Sequence, residues 1–479
     1  MQAKQTSRLA GTLVLVVCAG VAAADDIRWI NSAGGSFGDG ANWEGGQVPL
    51  AGDNAVFDLP HPFTVTLDMT RAVGQVTSTA GALTFDLGGN ELFAPNFYVD
   101  AGKTHVADGR VAGAGRASGG TLVVESDAVF DRGGGAGNGG MLIIRGTVGK
   151  SGDGQGHISI GSNSLARLEG GIISSRRLVV LGRLDMFGGW INGEISDFMG
   201  LFNMEGGALS GEHSFHNGQS YVHSGAVIDA QYSVELHGTV VIEGEGTVVE
   251  AQRVHGDVTV RDGGVIDYHT TGIDAGGSLT VGAGGVVQRL YCMDGGTLRV
   301  EPGAVLPRLE AYGSYYPQSA YEVVVDGARS PAFDAVHLSQ LGPWMMDTDL
   351  GGTLTVEVVN GAGLTVGQRV PLMTSASQPI TGAFSSVTLP DLGGGRALRV
   401  VVEPLQVVLE VIAGGPACGS ADFDGDGDTA TDADIEAFFA CIAGDCCAAC
   451  GSADFNADGD TATDADIEAF FRVMAGGTC

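Results

Sequence analysis

The sequence predicts a mainly β protein: a parallel β-solenoid (β-helix) of about 18–21 residues per coil, capped by a small β-sandwich and followed by a small helical module. Three observations carry that expectation. Short runs of alternating apolar and polar residues recur, as in Thr121-Leu-Val-Val-Glu, Leu142-Ile-Ile-Arg, Leu279-Thr-Val and Thr297-Leu-Arg-Val. Glycines punctuate them on a nearly fixed step. The tail, from Cys418 to Cys479, writes one acid-rich unit twice.

The step sets the architecture. A glycine followed closely by an aliphatic residue recurs at Gly171, Gly189, Gly207, Gly225, Gly246, Gly264, Gly285 and Gly303. Most neighbours in that series are separated by the shorter of the two coil lengths, and the rest by the longer. Upstream of these turns lie paired apolar residues at alternate positions: Leu184 and Met186, Phe202 and Met204, Leu279 and Val281, Leu298 and Val300. A coil of this size cannot bury its own apolar side. Stacked at ~4.8 Å per coil, successive coils form a continuous core and pair every strand above and below. The regular stretch spans residues 75–310, and a sandwich of hairpins is the alternative architecture for it. With 80 glycines but only 14 prolines, and apolar residues throughout, residues 25–415 read as neither collagen-like nor a disordered linker.

The ends depart from the period. Residues 25–74 read as an N-terminal cap, in which Trp29, Trp43 and Phe57 plug the first coil and block its open edge. After Pro307 the strands lengthen: Tyr321-Glu-Val-Val-Val, Gly352-Thr-Leu-Thr-Val-Glu-Val-Val, Ala397-Leu-Arg-Val-Val-Val and Val407-Val-Leu-Glu-Val. These predict a β-sandwich-like cap over 311–412, then a linker at 413–417. The opening, with Val48-Pro49-Leu-Ala-Gly52-Asp53-Asn54, resembles the start of secreted autotransporter-passenger-like β-strand-repeat proteins. The stretch Val366 to Pro390 resembles their terminal segment.

In the tail, Cys418-Gly-Ser-Ala-Asp-Phe-Asp-Gly-Asp-Gly-Asp-Thr-Ala-Thr-Asp-Ala-Asp-Ile-Glu-Ala-Phe-Phe recurs from Cys450, with Asn456 in place of Asp424 and Ala457 in place of Gly425. Oxygen donors fall at every second position: Asp422, Asp424, Asp426 and Asp428, then Asp454, Asn456, Asp458 and Asp460. At ~5 Å and an effective dielectric near 20, each like-charged pair costs about 3 kcal/mol, so such a loop favours a cation. Alternating hard oxygens with glycine at the sixth position (Gly427, Gly459) suit Ca²⁺. Ile435, Phe438, Phe439 and Ile442, then Ile467, Phe470 and Phe471, place an amphipathic helix after each loop.

This pair of loop-helix units resembles the dockerin domain over about an eighth of the chain. The resemblance implies two Ca²⁺ loops docking on a cohesin-like or other surface protein. Asp422, Asp424 and Asp426 would supply side-chain oxygens and Asp428 a carbonyl. Asp454, Asn456, Asp458 and Asp460 would repeat the set. The family closes its loop with a carboxylate at the twelfth position, which here is Ala433 or Ala465. Asp434 and Asp466, the next residues along, are the expected closing ligands, with Asp432 and Asp464 next in line. The competing reading is that Thr431 caps the helix while Asp432 and Asp434 complement its dipole.

Composition bounds the setting. Lys4 and Arg8 precede an apolar run from Leu9 to about Val21, and Val21-Ala-Ala-Ala24 offers a cleavage site, so residues 1–24 predict a signal peptide and a secreted, extracellular, cell-surface-associated protein. No later run is long enough to span a bilayer, and no membrane insertion is expected after cleavage. The net charge of −32 argues against nucleic acid and anionic lipid as partners. Six cysteines crowd into 418–479, and the duplication suggests Cys418–Cys447, Cys450–Cys479 and the remaining Cys441–Cys446, whereas Cys292 reads as a buried, unpaired residue.

Catalytic motifs are missing from the sequence: no nucleophile motif, phosphate loop or His-Glu-x-x-His zinc signature is present. Two constellations stand out in the body. His237 and His255 lie one repeat apart before equivalent strands, with His216 a third member of a ladder suited to a transition metal or to a solvated turn. Arg261, Asp262, Asp267 and His269 form a titratable cluster of glycosidase flavour. The sequence therefore predicts a non-enzymatic surface scaffold or adhesin-like protein bearing a Ca²⁺-dependent docking tail. The alternative is a polysaccharide-active (lyase or glycoside hydrolase) or glycan-binding β-helix recruited to an assembly by that tail.

Overall fold

A computed structural model describes residues 24–149, 156–215, 218–338, 348–413, 419–456 and 460–477, without the side chains of Ser214 and residues 230–232. Residues 1–23 of the signal segment, His216, residues 414–418 of the linker and the first unit, Asp458 and Cys479 lie outside the described residues. The chain is a parallel β-solenoid followed by two short helices, α1 (Asp432–Ile442) and α2 (Asp464–Met474).

One face of the solenoid is a long ladder of strands, each paired in parallel with its counterpart in the next coil. Register follows side-chain identity. Leu122, Leu142, Ala166, Leu184 and Phe202 stand opposite one another on consecutive rungs, and Val124, Ile144, Leu168, Met186 and Met204 form the neighbouring column. Both columns are buried. The period-2 alternation of each strand thus becomes a column of apolar side chains along the rod, which is where the core lies. From Phe63 to Tyr321 each rung pairs with the next about one expected coil further along the chain. The longest of these coils run from Leu142 to Ala166 and from Leu298 to Tyr321. Corners are tight. A Cβ at Gly189 would lie 2.2 Å from the Gly171 carbonyl oxygen, and Gly189 and Gly207 adopt φ of 87° and 85°.

Parallel pairing extends past both ends of the stretch expected for it. It begins with Asp26–Arg28 against Asn54–Phe57, over a buried aromatic cluster. There Trp29 meets Trp43 edge-on at 5.1 Å, and Phe37 meets Trp43 at 4.8 Å. At the far end, the segment 311–412 is not a separate sandwich. Ala320–Asp326 pairs in parallel with Thr353–Val359, which pairs with Ser386–Thr388. The coils are enlarged here, running from Tyr321 to Leu354 and from Leu354 to Val387. The last described strands turn antiparallel: Gln406–Ala413 lies between Arg369–Ser375 and Arg396–Glu403. Alternation reads the same in a parallel rung and a sandwich strand, and the longer coils hide the period.

Charges also stack by rung. Arg145 bridges Glu125 and Glu169, each the residue that follows one of three adjacent strands, at 3.0 Å each. Inside the wall, His213 stands between Ser196 and Val234 on adjacent rungs. It is fully buried, and neither ring nitrogen hydrogen-bonds to a described residue. Burial pushes its imidazole down to about 4, from an ordinary value of 6.5.

A His with a depressed folded-state value binds its proton more readily when unfolded, so stability falls as pH drops from 6.5 towards 4. Urea unfolding at pH 7 and pH 5 should show that loss, up to about 3 kcal/mol by pH 4. In His213→Leu this share of the pH dependence should vanish.

Candidate metal centre

In the first tail loop, Asp422, Asp424 and Asp426 each bring a carboxylate oxygen to within 4.8 Å of the other two. Local chemistry sets the bend. The Asp426 amide donates to Asp424 Oδ1 at 3.1 Å and the Asp428 amide to Asp426 Oδ1 at 2.8 Å, while Gly425 and Gly427 take φ of 74° and 95°. Asp422 Oδ1 is buried and accepts no hydrogen bond from a described residue. A buried, donorless carboxylate oxygen beside two further carboxylates is costly alone and suits a cation. The triad could hold a metal ion, and this donor set fits a hard one.

Asp434, the expected closing ligand, accepts hydrogen bonds on both carboxylate oxygens. Its Oδ1 accepts from the amides of Phe423 (2.7 Å) and Asp424 (3.4 Å), and its Oδ2 from the Thr431 amide and hydroxyl (both 2.8 Å). The side chain is fully buried. Thr431 returns the bond by accepting from the Asp434 amide, which completes a capping box at the start of α1. With four donors on two oxygens, Asp434 ties the loop's entry to its exit. Asp466 does the same in the second loop, through Phe455 and Thr463 at 2.8 Å and Asn456 at 3.3 Å. Burial alone would raise both carboxyls. The hydrogen bonds from Thr431, Phe423 and Asp424, and their counterparts, more than offset it and hold both below the usual range. Asp432 and Asp464 occupy the first turns of their helices, where they complement the dipole. Asp428 is exposed, and its carboxylate lies outside the triad.

The two units lock together through reciprocal backbone bonds. The Gly419 amide donates to the Phe455 carbonyl and the Gly451 amide to the Phe423 carbonyl, both at 2.9 Å. Between them Phe423, Phe438, Phe455 and Phe470 form a small core, with Phe438 and Phe470 stacked at 4.0 Å. A Cβ on Gly419 would fall 2.5 Å from the Phe455 ring, which explains glycine after the repeat's first cysteine. Sequence reasoning missed Phe423 and Phe455 as core, because they sit between acids. Their recurrence at one position in both copies was the available signal. Of the Phe residues that mark the two helices, Phe438 and Phe470 are buried, whereas Phe439 and Phe471 are exposed.

The disulfides correct two expected pairings. Cys441–Cys446 forms as expected, but Cys447 bonds Cys450, which rules out Cys418–Cys447 and Cys450–Cys479. Equivalence between copies suggested the longer bridges, whereas the turn after α1 brings nearer partners together. Cys292 is buried and free, and burial pushes its thiol up to about 12.

In the body, Arg261 bonds Glu243 at 2.8 Å and approaches its neighbour Asp262 at 3.5 Å. Asp262 and Asp267 are both exposed, and no contact joins them among the described residues. A cleft described in the structure lies elsewhere. Its lining includes Arg308, His337, Thr374 and Gln378 and no described carboxylate. No family model matches the chain, and no curated protein matches it.

Asp434→Ala strips acceptors from buried amides, a loss of about 1–3 kcal/mol per unsatisfied donor. Hydrogen exchange on the full chain should show faster exchange at Phe423 and along α1. Ala430 and Ala462 hold φ of 60° and 58°, so Ala430→Gly should protect the same amides by up to about 1 kcal/mol.

Proposed function

We propose that this chain is an exported, non-enzymatic β-solenoid, a surface scaffold or adhesin-like protein, held to an extracellular partner by a Ca²⁺-ordered tail. The observation that carries the reading is the convergence of Asp422, Asp424 and Asp426 around a buried oxygen without a donor. In this reading their carboxylates and the Asp428 carbonyl bind Ca²⁺, and Asp454, Asn456, Asp458 and Asp460 do so in the second loop. Asp434 and Asp466 hold each loop in shape. When bound, the ion relieves carboxylate repulsion and couples its binding energy to folding of the loops. An extracellular module of this kind works at the weak, up to millimolar, end of the Ca²⁺ range. The exposed Phe439 and Phe471, 6.2 Å apart, then offer an apolar contact for a cohesin-like surface protein.

The rod supports the scaffold half of the reading, and its charge of −32 disfavours nucleic acid. Among the described residues no helix is long and apolar enough to cross a membrane. Glycan binding is the second reading. It is favoured by the half-exposed Trp190, whose ring nitrogen donates to Ser210 at 3.2 Å, with exposed Ile172 and Val227 in the same column.

Calorimetric titration of chelator-treated full chain with Ca²⁺ should show two sites, with one lost in a variant carrying Asp424→Ala and Asp426→Ala. Ca²⁺ should also slow hydrogen exchange in 419–477. Absence of binding heat together with unchanged exchange would refute the Ca²⁺ role.

A further inference from the structure

We infer that Glu235, His237 and His255 form a second metal site, on the wall of the solenoid, for a late divalent transition ion of the Zn²⁺ class. The register builds it. Leu236 pairs with Val254 and Val254 with Ile273, all buried in the core. The next residue on each rung is therefore His237, His255 and Asp274, one outward column across three coils. The two imidazoles stack at 4.2 Å with their planes 9° apart. One donor atom from each of Glu235, His237 and His255 lies within 4.8 Å of the other two.

The surrounding contacts suit ligation. His237 Nε2 lies 3.1 Å from Glu235 Oε2. Two donors on one Zn²⁺, each ~2.0–2.1 Å from it, sit roughly 3.4 Å apart, so this pair is already near ligand spacing. His255 Nδ1 lies 3.0 Å from Asp274 Oδ2, and Arg253 donates to the other Asp274 oxygen at 2.9 Å. That bond places the proton on Nδ1 and leaves Nε2 with its lone pair, the arrangement by which a carboxylate orients a metal-binding histidine. Asp274 is thus a positioning residue. The metal takes the place of the hydrogen between His237 Nε2 and Glu235 Oε2, and the neutral ring then carries its proton on Nδ1. Two imidazoles and one carboxylate select Zn²⁺, Ni²⁺ or Cu²⁺ over Ca²⁺ and Mg²⁺, so this ion is distinct from that of the acidic tail.

The test uses the full chain, stripped of metal and kept in excess Ca²⁺ so that the tail is saturated. Zn²⁺ competition against a chromophoric chelator should reveal a site that weakens at least ~10-fold in His237→Gln and in His255→Gln, and by ~10–100-fold in Asp274→Asn. The metal-free melting temperature of Asp274→Asn should not change. In the unmutated protein, Zn²⁺ should protect His237 and His255 from diethylpyrocarbonate, read by mass spectrometry. Zn²⁺ affinity unchanged in both histidine variants, or no protection of either ring, overturns the proposal.

Discussion

The structure depends on one constraint: the strands of each coil find their ladder partners in the coils above and below. A short strand cannot satisfy itself, and a single coil encloses too little apolar surface to fold alone. Stacking solves both at once. It also forces like positions into columns, because a slip by one position would turn every inward side chain out. Leu122, Leu142, Leu184 and Phe202 are interchangeable in kind because they share one column, and glycine recurs at the corners because backbone passes there so close that a Cβ at Gly189 would meet a carbonyl oxygen at 2.2 Å.

The same rule governs the polar exterior. Where adjacent rungs carry opposite charges, as in Glu125, Arg145 and Glu169, register turns distant sequence positions into ion pairs. Exposed pairs of this sort contribute little individually. Their effect is to tie three coils across the surface at one place. The column of His237, His255 and Asp274 arises in the same way, from residues separated by one coil each.

Much of this was legible in the residues. The glycine step and the paired apolar positions specify a solenoid, because both period and alternation are local signals. The alternating acids of the duplicated unit pointed in the same way to the triad that Asp422, Asp424 and Asp426 form. What stayed hidden depends on contacts between distant segments. The hydrogen bonds of Asp434 were not legible, because acidic residues near a loop's end resemble one another in sequence. Only the fold shows that Thr431 and the Phe423 amide have claimed its oxygens. The enlarged coils near the end concealed a parallel register behind strands that alternate as a sandwich would. The pairing of Cys447 with Cys450 follows from a turn that repeat logic does not describe.

The antiparallel finish has a consequence for growth. A parallel stack is a template at its open end, since the last rung presents the pattern that the next copy would read. Here Gln406–Ala413 runs opposite to its neighbours, and the outermost strand, Arg396–Glu403, pairs with that reversed strand alone among the described ones. Its guanidinium at Arg396 is fastened to the carbonyls of Gly361 and Leu364, which anchors the hairpin to the coil beneath. Two reversals return the outermost strand to the direction of the coils, so polarity alone does not bar a second rod; what the hairpin interrupts is the one-coil step, because Gln406–Ala413 stands between Arg396–Glu403 and the parallel ladder.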